Sequence, residues 1–154
     1  MPRTKMTEAP CSIERSLGVL GERWTFLILR EAMLSGSTRF AQFRAALGIA
    51  PDVLTDRLAT LVESGVLTRV PYQEPGSRPR DAYLLTPAGR DLVVALGALQ
   101  EWGDRHLPRT EGPTVVRRLR DTDVPLHVGF IDSDGHEVPL SEVSMVRTAA
   151  YPKS

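Results

Sequence analysis

The stretch "IAPDVLTDRLATLVESGVL", Ile49 to Leu67, decides the fold. Pro51 fits a first helical position, where its missing N–H costs nothing, and Leu54, Leu58 and Leu61 recur at the spacing of one buried helical face. Gly65 follows as a left-handed stop, after which "VLTRVPY" (Val66 to Tyr72) changes to the pattern of a strand. A helix buried along its leucines must turn Asp52, Thr55, Asp56 and Ala59 away from the core. The question is what that second face meets.

Working toward the N-terminus, "GIA" (Gly48 to Ala50) is a short glycine turn, and before it Phe40, Phe43 and Leu47 point inward from a helix beginning near Ser37 or Thr38. Arg39, Gln42 and Arg44 lie on its outer side. Two earlier helices carry Ile13, Leu17 and Leu20, then Trp24, Leu27, Ile28 and Met33, the second ending in the turn chemistry of "LSGS". Working toward the C-terminus, "DAYLLT" (Asp81 to Thr86) reads as a second strand joined to the first by "QEPGSRPR", a hairpin tip rich in proline and arginine. Thr86 then caps a helix of about 20 residues with Pro87 at its first turn, carrying Leu92, Leu96, Leu99 and Trp102. Beyond a linker flanked by Pro108 and Pro113, "VPLHVGFIDSDGHEVPLSEVSMV" reads as two strands about a turn at Asp134 and Gly135.

This order is mainly α with a small β-hairpin wing (α+β): a winged helix-turn-helix with a C-terminal β-hairpin extension. Its expected division is an N-terminal arm over residues 1–11, a winged helix-turn-helix DNA-binding domain over 12–108, to which the resemblance given below adds dimerisation, and the hairpin extension over 114–150. The fourth helix is then the reading helix, with Pro51, Asp52, Thr55 and Asp56 facing the major groove. Arg39, Arg44, Arg78 and Arg80 are candidate backbone contacts, the last two from the wing. Arg57 is either another such contact or a structural ion-pair partner. Trp24, Phe40 and Trp102 read as core or dimer-seam residues rather than an aromatic effector box.

Composition narrows the alternatives. The chain has 154 residues, 42% hydrophobic and 25% charged, which suits an ordinary globular protein with one modest core. No apolar run approaches the roughly 20 residues of a membrane span, and no signal-peptide segment opens the chain, so the expectation is a cytoplasmic protein, nucleoid-associated when bound to DNA. A single cysteine and three scattered histidines have no metal-ligand spacing; "IDSDGHEV" brushes against a calcium loop but has Val143 where a ligating glutamate belongs. No phosphate-binding glycine loop and no nucleophile beside a histidine appear, so neither an enzyme nor a cofactor is expected. The net charge is zero, yet 17 of the 19 basic residues are arginine, the planar fork that suits phosphate and guanine edges.

The segments "CSIERSLGVLGERWTFLILREAM" (Cys11 to Met33), "TRFAQFRAALGIAPDVLTDRLATLVESGVLTR" (Thr38 to Arg69) and "YLLTPAGRDL" followed by "LQEWG" resemble the HxlR-type winged helix-turn-helix regulators of bacteria, over about residues 11 to 105. The resemblance implies a transcriptional regulator that acts on double-stranded DNA as a homodimer, pairing through its first and last helices on an inverted repeat. Ile13, Leu17, Leu92, Leu96, Leu99 and Trp102 are the matching interface candidates. Where relatives often open the reading helix with Ile-Ser-Pro-Lys, this chain has Ile49, Ala50, Pro51 and Asp52. Loss of a hydroxyl cap costs on the order of 1 kcal/mol. Asp52 returns part of it through the helix dipole, but it and Asp56 repel phosphates. Affinity is therefore expected to rest on the arginines, with Thr55 and its neighbours choosing sequence.

Cys11 lies just before the first helix, at the positive end of its dipole, with Arg15 one turn away. Some relatives carry a cysteine there that senses oxidants or electrophiles, so Cys11 is either such a sensor or a cysteine with only a packing role. The effector is not legible, nor is the role of the C-terminal hairpin. The other function these residues permit is a winged-helix protein-interaction module without DNA binding.

Overall fold

A computed structural model describes residues 8–151, so most of the expected N-terminal arm lies outside it. By backbone packing the chain divides into two units, the first running to Leu92 and regaining the chain from Ala149, the second Val93–Thr148.

The first unit opens with α1 (Ser12–Leu20) and α2 (Arg23–Leu34), followed by α3 (Phe40–Leu47) and α4 (Pro51–Glu63). Strands β1 (Leu67–Tyr72) and β2 (Arg80–Leu85) form an antiparallel hairpin, Leu67 opposite Leu85 and Tyr72 opposite Arg80. Its core is the convergence of one face from each element: Ile28 and Leu29 from α2, Phe43 from α3, Leu54, Leu58 and Leu61 from α4, and Leu67 from β1 are all within 1% of complete burial. Each side chain of this kind stabilises the fold by roughly 1.5–3 kcal/mol on leaving water. The leucine stripe of α4 is thus the floor of the domain. Mainly helical architecture with a small wing is what the sequence pattern predicted.

Two boundaries differ from that pattern. Thr38 and Arg39 are extended rather than helical, because Tyr83 donates its backbone N–H to the Thr38 carbonyl (2.7 Å) and Arg39 bridges to Ala82, so the chain before α3 forms a third edge on the wing. Gln42 closes this entry by accepting from the backbone N–H groups of Thr38 and Arg39, both at 2.9 Å. The long helix expected from Thr86 is broken at Leu92 into α5 (Pro87–Asp91) and α6 (Val93–His106). Leu92 bonds back to Gly89 in a tighter turn (3.3 Å), and Gly89 has no freedom to shift: a Cβ there would stand 2.2 Å from the Val66 carbonyl oxygen.

Gly89→Ala therefore tests that fit. Alanine favours a helix interior over glycine by about 1 kcal/mol. The clash with backbone should outweigh this, for a net loss of about 1–3 kcal/mol. A thermal melt of the variant at or above the wild-type midpoint would show that the helix can move away from the Val66 carbonyl.

The second unit holds α6 against the segment that follows it. Val128 donates its backbone N–H to the Glu101 carboxylate (3.0 Å), Arg117 donates to Gln100 (2.7 Å), and Gln100 donates to the Val115 carbonyl (2.6 Å). Gly97 is buried beneath them, its would-be Cβ 2.8 Å from the Val128 side chain. A short hairpin, β3 (Phe130–Ile131) and β4 (Glu137–Val138), turns at Gly135 with φ +88°, as the Asp-Gly pair predicted. The turn is held by the Asp132 carboxylate, which accepts from the backbone N–H groups of Asp134 and His136 (both 2.9 Å). The His136 amide above all keeps Asp132 below the usual carboxylate range, so this contribution to the turn is present above the ordinary carboxylate pKa and is lost as pH falls through the lowered one. Asp132, Asp134 and His136 bring ligand atoms within 4.8 Å of one another, all exposed. No helix among the described residues is long and apolar enough to cross a membrane.

Candidate nucleic-acid interface

The pair α3 and α4 is joined by Gly48, Ile49 and Ala50, with Gly48 at φ +59° closing α3 in the left-handed conformation and Ile49 buried as the anchor of the turn. This is the geometry of a helix-turn-helix. Ala50 caps α4 without a side-chain hydrogen bond, and Pro51 occupies the first turn. Asp52, Thr55 and Asp56 are exposed on one face of α4, opposite the buried Leu54, Leu58 and Leu61.

Their chemistry is narrower than residue names suggest. The Thr55 hydroxyl donates its proton to the Pro51 carbonyl (2.8 Å), leaving only lone pairs and a methyl group for another molecule. Asp52 and Asp56 are carboxylates. The exposed face of α4 thus offers acceptors and a methyl, and no donor from these three side chains. Such a face matches the exocyclic amino groups of cytosine and adenine and the methyl of thymine, and rejects the oxygens of guanine and thymine.

The cations come from elsewhere. Arg44 in the last turn of α3, and Arg78 and Arg80 at the hairpin, are exposed, and among the described residues they make no ion pair. The tip between the strands is built by Glu74, Pro75, Gly76 and Ser77: Ser77 donates its N–H to the Glu74 carbonyl (3.0 Å), with Gly76 at φ +75° in the position after proline. Arg39 is placed differently. Its guanidinium lies over the Tyr72 ring, 4.5 Å from the centroid, and pairs with the Glu74 carboxylate. Arg57 stands apart from this group, on the inner flank of α4, its side chain 20% exposed and 3.8 Å from Glu22. That is the structural ion-pair alternative for Arg57. Both Arg39 and Arg57 meet partners 35 residues away in the chain, a distance at which no periodicity gives warning.

Ile13 and Leu17 stand out on α1, 71% and 48% exposed, and Leu99 and Trp102 on α6, 55% and 56%. Leu92 and Leu96 are half-buried. Trp24 is half-buried beneath the Arg23 guanidinium (4.5 Å), and Phe40 is half-buried as well. Cys11 is the residue before α1, partly exposed. Arg15, one turn on, directs its guanidinium to the Ala9 and Pro10 carbonyls (both 2.7 Å) and to the Ser12 hydroxyl (2.9 Å).

A helix-turn-helix whose reading face is free, beside a hairpin carrying unpaired arginines, defines a winged-helix protein of the type that transcription regulators use. The chain belongs to the HxlR-like helix-turn-helix family, whose model matches residues 19–111. It is 50% identical over 107 residues to the HTH-type transcriptional regulator Rv3095 of Mycobacterium tuberculosis, an alignment covering 70% of this chain and 66% of that protein, so it matches just under two thirds of that relative's length. To the HTH-type transcriptional regulator YtcD of Bacillus subtilis it is 32% identical over 104 residues, 67% of this chain and 80% of that one. Among solved structures it is similar to the proposed transcription factor PA1607, with a TM-score of 0.78 at 33% identity over 94% of this chain and 99% of that one. The redox regulator HypR in its reduced form matches with a TM-score of 0.55 at 30% identity, over 63% of this chain and 96% of the other.

Proposed function

We propose that this protein is a cytoplasmic transcriptional regulator that binds double-stranded DNA as a homodimer on an inverted repeat, and that Cys11 makes it responsive to oxidants or electrophiles. The observation that carries the reading is the free face of α4, with Asp52, Thr55 and Asp56 exposed beside the arginines of the wing. The family and the names of its relatives support the same function. In this reading α4 enters the major groove and selects bases, while Arg44, Arg78 and Arg80 supply salt-dependent affinity from the backbone. The support for dimerisation through the first and last helices is the exposure of Ile13 and Leu17 on α1 and of Leu99 and Trp102 on α6. Cys11 is supported by its partial exposure and by likeness to a protein named for redox regulation.

Selection of source-genome fragments on the protein, in reducing buffer and after diamide, tests the whole reading. Recovered fragments should share an inverted repeat with half-site centres about 34–36 Å apart. Diamide should alter retention for the wild type and leave Cys11→Ser unchanged. Absence of any retained fragment at low salt would favour a protein-interaction module. Equal retention with and without oxidant would remove the role of Cys11 and leave the DNA reading intact.

A further inference from the structure

We propose that Glu74 is an internal stand-in for a DNA phosphate. In the free protein it holds the Arg39 guanidinium in place over Tyr72, and on a duplex it yields that guanidinium to the sugar-phosphate backbone. This rests on the DNA-binding reading above.

Three contacts converge on Arg39. Its backbone is tied into the wing through the bridge to Ala82, its guanidinium stacks on Tyr72, and its Nη1 meets the Glu74 carboxylate. The first two fix the residue whatever its charged partner is. The third is exchangeable, since Arg39 and Glu74 keep 44% and 53% of their side chains in water. A carboxylate and a phosphate present the same pair of anionic oxygens to the planar fork, so a duplex can take the place of Glu74 without moving the arginine. Glu74 sits in the tip turn between β1 and the two unpaired wing arginines, Arg78 and Arg80. A duplex seated on those arginines brings a phosphate close to the carboxylate. Repulsion between the two anions then favours release of Arg39. The consequence is a cation that is ordered before binding, with affinity for all DNA held down by a competing anion.

The alternative is a strut, in which Glu74 fixes the wing and its loss loosens it; the two predict opposite signs. The probe is a mixed-sequence 30-base-pair duplex, because the proposed contact is to backbone. Fluorescence anisotropy at low salt should show Glu74→Gln binding more tightly than wild type, by roughly two- to fivefold per protomer, the range of an exposed ion pair. The same change made in an Arg39→Gln background should give no gain, which separates displacement from the mere removal of a negative charge. Weaker binding by Glu74→Gln establishes the strut and overturns the proposal, as does a gain of equal size in the Arg39→Gln background. In the free protein, the Arg39 Nε–H resonance should keep its ring-current shift from Tyr72 in Glu74→Gln; its loss also points to a strut. Failure of the wild type to bind any duplex would instead remove the DNA reading, a result distinct from binding that ignores Glu74.

Discussion

Phe43→Ala is expected to lose about 3–5 kcal/mol of stability, the range for truncating a large buried aromatic side chain. Phe43 is completely buried on α3, which packs against both α2 and α4, so a cavity there lies beneath both halves of the helix-turn-helix. For a domain whose total stability is of the order of 5–15 kcal/mol, such a loss leaves a substantial unfolded fraction at physiological temperature. Denaturant unfolding followed by tryptophan fluorescence measures it directly. A loss below about 1 kcal/mol would mean that the helices collapse onto the space, and that α3 and α4 are not held in one fixed relation. DNA binding should fall with the folded fraction, and the sequence preference of the remaining folded protein should not change.

Replacing Arg78 and Arg80 together by alanine is the second change with a large expected effect. Each phosphate contact contributes a slope of about −0.9 to the logarithm of affinity against the logarithm of salt. Loss of two contacts per protomer should therefore flatten that slope by about 2, or about 4 for a dimer, with affinity down severalfold at moderate salt. The change should be the same for specific and mixed-sequence duplexes, since backbone contacts carry no base information. A weakened affinity with an unchanged slope would place these arginines away from phosphates. Thr55 is the opposite case: its hydroxyl is committed to the Pro51 carbonyl, and it presents a methyl and lone pairs from a fixed place on α4.

The acidic face of α4 is less of an obstacle to the proposed DNA binding than the charges alone suggest. Asp52 and Asp56 are exposed on the free face, whereas the unpaired cations lie at the end of α3 and on the wing. In the proposed function, attraction to backbone and selection of bases therefore fall to different elements. A zero net charge over the whole chain does not describe the charge at this surface.

Periodicity and end chemistry were enough to read the helix-turn-helix. The leucines of α4 repeat within one element, Gly48 has a positive φ that glycine adopts without strain, and Pro51 and Pro87 mark helix starts by what their rings forbid. These are local effects, acting over a few residues, and so they survive in a linear string. The wing was legible for the same reason, since proline and glycine in "EPGS" specify the turn before any tertiary contact forms. What depended on the folded chain was the partner of each charge and the limit of each element. Arg39 is a surface cation by sequence, yet stacking on Tyr72 and pairing with Glu74 tie it to the hairpin; Arg57, next to the exposed Asp56 in the chain, pairs with Glu22. Thr38 and Arg39 are drawn out of a helix by β2, and the helix after Thr86 breaks at Leu92, three residues beyond the Gly89 wedged against Val66. Electrostatic and steric contacts act through space and are indifferent to sequence separation, so they are settled only when distant elements have come together.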